Sequence, residues 1–134
     1  GVTVGMGTDI SGGYAPSMYE VIRMAAIASR MLECGVDMRV AAGRRGVPDS
    51  QMTLDRAFWL ATAGGADALH LRTGRLDAGY IWDAQIVDTH AAHADLPVFD
   101  DAEGPKVIFQ KIMNLSVPAN IKKVWCQGRV AYGS

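Results

Sequence analysis

The apolar positions of this chain change their spacing several times. Val2, Val4 and Met6 alternate with Thr3 and Gly5, the period of a short strand. Residues 7–16 lose that period and carry Gly12-Gly13 and Pro16, so they read as a loop. From Ser17 the spacing becomes helical, and Met18, Val21, Ile22, Ala25, Ile27, Ala28, Met31 and Leu32 give a wide apolar stripe. Ser17 with Glu20 three residues on is a capping-box pattern, in which the two side chains satisfy each other's unpaired backbone donors. Gly35 after Cys34 is a left-handed helix stop.

The pattern then breaks from Val36 to Gln51, where Gly43, Gly46 and Pro48 mark a loop. Thr53 is the expected cap of a second helix that buries Leu54, Ala57, Phe58, Leu60 and Ala61. Thr62 is the expected cap of a short third helix ending at Leu69, with Gly64-Gly65 in its first turn. Near Thr73 the chain changes character, with turn signals at Gly74 and Gly79 and an extended run from Trp82 to Val87. Thr89 to Pro105 reads as irregular, Lys106 to Leu115 as a helix, and Ile121 to Cys126 as a strand. Gln127-Gly128 is a two-residue hairpin turn before a returning strand from Arg129 to Tyr132. The expected division is therefore 1–72, strand then helices, and 73–134, rich in β-structure with one helix.

An apolar strand feeding a helix is half of a βα unit, and such strands are covered on both faces in a parallel sheet. The chain offers no second βα unit, so the strand's backbone groups lack visible partners. It also opens on Gly1 rather than a methionine. Both features raise the expectation of a piece of a longer protein. The 134 residues suit one ordinary domain, and 49% hydrophobic with 20% charged residues is a globular composition. A net charge of −1 gives no electrostatic case for nucleic acid or an anionic membrane surface. The apolar runs are too short to span a bilayer, and no basic region followed by a long apolar core marks a signal peptide. Cys34 and Cys126 lack CxxC spacing; free thiols in a reducing cytosol are the plainer reading, and a pairing is the alternative.

Asp9 lies just past the end of the first expected strand, where α/β folds place ligands and metals. A carboxylate there suits a cation ligand or a general base, and it equally suits an ordinary strand-to-helix turn. Gly12 and Gly13 mark either a close backbone approach or a plain flexible turn. His90 and His93 stand with Asp88 and Asp95 in a cluster whose spacing fits no structural zinc pattern. His70 suits a helix C-terminus, Arg44-Arg45 a solvated loop, and Trp59, Trp82 and Trp125 anchors in a core or interface.

The stretch GMGTDISGGYAPSMYEVIR, from Gly5 to Arg23, resembles the segment of guanine deaminases around their last barrel strand. The likeness continues through MTLDRAFWLATAGGADALHL, GRLDAGYIWDAQIVD, VIFQKIMNL and NIKKVWCQGRVA, and so runs in order along nearly the whole chain. Gly-Thr-Asp alone indicates the wider amidohydrolase superfamily; the Gly-Gly-Tyr-x-Pro-Ser-Met continuation points to guanine deaminases.

The resemblance implies an α/β fold: the C-terminal part of a TIM-like (β/α)8 barrel plus strands of a composite β-sandwich. Val2 to Met6 would be the eighth barrel strand, and Asp9 would both ligate a single Zn2+ and handle protons for the attacking water. The reaction implied is hydrolysis of guanine to xanthine, in a cytoplasmic protein of purine metabolism that is a homodimer at full length. The family's remaining histidine ligands and its catalytic glutamate have no counterpart in this chain, and no such role is carried to His70, His90 or His93. A barrel of this kind needs roughly 250 residues. The chain is therefore expected to be inactive without the missing N-terminal part of the same protein. Two other readings stay open: another amidohydrolase, of the S-adenosylhomocysteine or triazine type, and a non-catalytic self-associating α/β fragment. The deaminase architecture built on His-x-Glu and Pro-Cys-x-x-Cys is excluded, because neither motif occurs.

Overall fold

A computed structural model of the chain describes residues 1–99 and 103–133. The elements run α1 (Met18–Cys34), α2 (Leu54–Ala61), α3 (Ala63–Ala68), β1 (Ala84–Val87), α4 (Pro105–Leu115), β2 (Ile121–Cys126) and β3 (Arg129–Tyr132). Single 3-10 turns at Ala42–Arg44 and Pro118–Asn120 join them. The expected irregular stretch from Thr89 to Pro105 includes residues 100–102, which lie outside the described residues.

The three strands form one antiparallel sheet in the order β1-β2-β3. Ala84 faces Trp125 and Gln85 faces Val124, and the register shifts between Ile86 and Val87. Gln127 and Gly128 both take positive φ, 51° and 78°, which is the twist a two-residue hairpin needs between right-twisted strands. Trp82 and Trp125 meet edge to face, with centroids 6.2 Å apart.

The centre of the core is Ile22 on α1, Ala57 on α2 and Met113 on α4, with Met6, Tyr19, Phe109 and Ile112 among the side chains packed around it. Phe58 and Phe109 add an edge-to-face pair at 5.2 Å. Buried Ser29 ties α1 to the chain before α2: its hydroxyl donates to the Ala26 carbonyl and accepts the Met52 N–H at 2.9 Å. The phenol of Tyr19 accepts a hydrogen bond from the Gln85 amide at 2.5 Å, linking α1 to β1. Burial raises the Tyr19 pKa, and the nearby Arg23 charge partly opposes this.

Several expectations need correction. Residues 2–6 form no strand: a strand exists only when paired, and the backbone link here is a single hydrogen bond from Met6 N–H to the Leu60 carbonyl at 3.0 Å. Ser17 sits at the helix start without a side-chain cap, so the capping box does not form; its carbonyl accepts the Val21 N–H instead. The stripe on α1 buries Ile22 but leaves Ile27, Met31 and Leu32 half exposed. Among the described residues, the helices packed against α1 are α2 and α4. Thr62 does not cap α3 through its side chain, because its hydroxyl donates back to the Phe58 carbonyl at 2.8 Å. Trp59 and Trp82 are too exposed to be core anchors. Thr53 does cap α2, accepting the Arg56 N–H at 3.2 Å, and Gly35 ends α1 at a positive φ of 72°, although its ψ of 136° is not left-handed helical. Both cysteines are free and exposed. No helix among the described residues is long and apolar enough to cross a membrane.

Candidate functional site

The loop between residues 6 and 17 is held at both ends. Before it, Met6 bonds to the Leu60 carbonyl, and Gly5 lies against Gly65 so closely that a Cβ on Gly5 would stand 2.7 Å from the Gly65 Cα. Gly65 of α3 is thus where the helix lets the segment approach, while Gly64 lies against the Trp59 ring. After the loop, Ala15 is buried and α1 begins. The segment carrying Asp9 is in this way pinned to α2, α3 and α1.

Asp9 takes a left-handed backbone, φ 48°, rare for a residue with a side chain outside turns and functional loops. Its carbonyl accepts the Gly13 N–H, which closes the loop into one tight turn. The carboxylate is exposed, and among the described residues it makes no hydrogen bond or ion pair. It borders a cleft of about 300 Å3 whose walls include Met6, Thr8, Tyr14, Val21 and Met24. An unpartnered carboxylate at an apolar cleft keeps its lone pairs available to a cation, a water or a substrate N–H.

As a metal ligand, Asp9 fits as one donor of a set. Zinc takes carboxylate oxygen, but a site needs three or four protein ligands. Among the described residues, no three His, Cys, Asp or Glu side chains come together to hold an ion. The His/Asp cluster is not brought to Asp9. The His90 amide donates to Asp88 Oδ1 at 2.9 Å and its ring Nδ1 pairs with the Thr89 hydroxyl at 3.1 Å, an arrangement that folds a turn. His93 lies in the following turn at φ 66°. His70 follows α3 at φ 55°, its amide donating to the Asp67 carbonyl.

Two polar groups that the sequence did not single out organise the scaffold. The Asp83 carboxylate accepts the Gln127 N–H at 2.7 Å and the Thr73 hydroxyl, fastening the chain before β1 to the β2–β3 turn. Those bonds, the Gln127 amide first, lower its pKa. Asn120 is 0% exposed and joins Val117 to Asp88 through both ends of its amide. An Asp before a strand and an Asn after a Pro-Ala look like ordinary turn residues in sequence, and their partners lie 44 and 32 residues away.

The amidohydrolase family model matches residues 1–131. The chain belongs to the amidohydrolase family. Within that family this amidohydrolase is similar to a probable guanine deaminase of the fission yeast Schizosaccharomyces pombe, 36% identical over 136 residues, covering 99% of this chain and 24% of that protein. It is also similar to the guanine deaminase of Dictyostelium discoideum, 33% identical over 129 residues, 95% of this chain and 26% of the relative. Among solved structures, the E. coli guanine deaminase aligns with a TM-score of 0.70 at 25% identity, over 98% of this chain and 27% of that one. A guanine deaminase from C. acetobutylicum, with guanine bound in its active site, aligns at 0.70 and 22% identity over 96% of this chain and 27% of that one, a likeness of fold. The amidohydrolase chain spans about a quarter of the length of the curated relatives it matches.

Proposed function

We propose that this chain is the C-terminal part of a guanine deaminase, which hydrolyses guanine to xanthine and ammonia. The observation that carries the reading is the likeness to guanine deaminases along nearly the whole chain, 99% of it in one relative and 98% in one solved structure. In this reading residues 1–72 supply the last strand of a (β/α)8 barrel and its following helices, and residues 73–134 supply strands of a composite β-sandwich. Residues 2–6 then gain their ladder partners from barrel strands outside this chain, which suits their exposure and lack of pairing here. The full-length protein is read as a cytoplasmic homodimer.

Asp9 would be one ligand of a zinc ion whose other ligands come from earlier in the full-length protein. When bound, zinc supplies a water acidic enough to give a nucleophile near neutral pH. The Asp9 carboxylate would serve as the proton carrier of the hydrolysis, taking up a proton as water adds to the ring carbon that bears the amino group and giving one to the amino group as it departs as ammonia. The left-handed backbone and tight turn hold the carboxylate at the cleft mouth, where a proton is taken and given at one place.

The test is guanine turnover by the full-length protein, followed by ultraviolet absorbance, with zinc measured on the same sample. About one zinc per chain and conversion to xanthine are expected, with Asp9→Ala lowering kcat by about 10³-fold or more. The 134-residue chain alone is expected to turn over no guanine. A zinc-loaded full-length protein that leaves guanine intact overturns the substrate, and an Asp9→Ala protein at the parental rate overturns the role of Asp9.

A further inference from the structure

We infer that Gly12 and Gly13 are positioning residues for the Asp9 carboxylate: Gly13 lets the backbone fold back onto Thr8, and Gly12 keeps Asp9 Oδ2 uncovered. This rests on the reading of Asp9 as a metal ligand and proton carrier, and extends it to the residues that set its geometry.

Conformational freedom is not what these two glycines supply, because neither takes a positive φ, whereas six others among the described residues do. What they supply is space. A Cβ on Gly13 would stand 1.8 Å from the Thr8 carbonyl oxygen, 2.9 Å from the Thr8 carbonyl carbon and 3.1 Å from the Asp9 carbonyl oxygen. All three are backbone atoms, so no side-chain rotation relieves the overlap. Any side chain at 13 must open the turn that the Gly13 N–H to Asp9 carbonyl bond closes, and with it release Asp9 from its left-handed backbone. Gly12 acts on the carboxylate itself. A Cβ there would lie 3.1 Å from Asp9 Oδ2 and 3.7 Å from its Cγ. That contact is tight enough to turn the carboxylate by a few tenths of an ångström and to cover one lone-pair face, without moving the backbone. By contrast, a Cβ on Gly43 meets nothing within 4 Å.

The experiment uses the full-length protein with Gly12→Ala, Gly13→Ala, Gly43→Ala as control, and Asp9→Ala in parallel. Four quantities are read: the zinc dissociation constant by chelator competition, kcat and KM for guanine, and the melting temperature. Misplacing a reacting group by about 1 Å costs on the order of 100-fold, so Gly13→Ala is expected to lower kcat by about 100-fold and weaken zinc by at least about tenfold. Gly12→Ala is expected to lower kcat by about tenfold, with KM within about threefold of the parent and the melting temperature unchanged, because it alters the orientation of a group used in the chemical step. Gly43→Ala is expected to match the parent in all four. Parental zinc affinity and kcat in Gly12→Ala overturns the inference, and decides the matter alone where Gly13→Ala fails to fold. Asp9→Ala separates the two levels. If it loses zinc and turnover while the glycine variants keep both, the positioning role falls and the reading of Asp9 stands. If Asp9→Ala itself keeps both, the underlying reading falls and takes the inference with it.

Discussion

Arg23 donates its Nε–H to the Met113 carbonyl oxygen at 2.7 Å, across 90 residues of chain. Its Nη2 donates to the Ser116 carbonyl at 2.6 Å. One planar guanidinium on α1 therefore satisfies carbonyls at the C-terminal end of α4, which have no partner further along that helix. The cation also lies where the α4 dipole favours positive charge. The first and second halves of the chain are joined here by polar bonds beside the Ile22–Ala57–Met113 core.

Arg23→Ala is expected to destabilise the protein by about 1–3 kcal/mol, since hydrogen bonds from a charged donor to two carbonyls are lost. Arg23→Lys is expected to recover less than half of that, because a lysine ammonium lacks the planar fork that reaches both oxygens. Urea unfolding of the protein carrying this segment, with unchanged m-values, checks both.

Asn120 is expected to be equally intolerant. Its Nδ2 donates to the Asp88 carbonyl at 2.9 Å, its Oδ1 accepts the Val117 N–H at 3.0 Å, and its own carbonyl accepts the Asp88 N–H. Asn120→Ala leaves the part-buried Val117 N–H and Asp88 carbonyl without their side-chain partner, at a total cost on the order of 1–3 kcal/mol. Chemical denaturation reads the total; a variant as stable as the parent shows that water replaces the amide.

Asp83 predicts an acid-sensitive hairpin. The Gln127 amide, and then the Thr73 hydroxyl, favour its ionised form in the folded state. A lowered carboxyl pKa stabilises the fold at neutral pH, and that contribution fades as the pH drops below about 4 and through the folded value. Hydrogen exchange at the Gln127 amide is expected to speed up over that range beyond the intrinsic rate. In Asp83→Asn the acid dependence at this amide is expected to disappear.

The elements of this chain differ in how much of them its residue order specifies. The β2–β3 hairpin, α2 with its Thr53 cap, and the Gly35 stop of α1 are all legible in sequence, because each depends on contacts within a few residues. The Ser17–Glu20 box is equally local in pattern yet does not form, and the first helix hydrogen bond comes from the Ser17 backbone. The apolar run from Val2 to Met6 was readable as strand-like, but pairing is a property of two segments, and only one is described here.

What the residue order determined by itself was the family and the position of the candidate site: a Gly-Thr-Asp before a glycine pair and a helix is a local word, and it survives in any piece of chain that contains it. What only the tertiary structure decided was why the glycines stand there and what fastens the halves together. A Cβ-sized overlap between Gly13 and Thr8, the Arg23 fork on α4, and the Asp83 and Asn120 bonds all depend on where the backbone lies in space. Those distances follow from packing between segments far apart in sequence, so no local pattern of residue types can contain them.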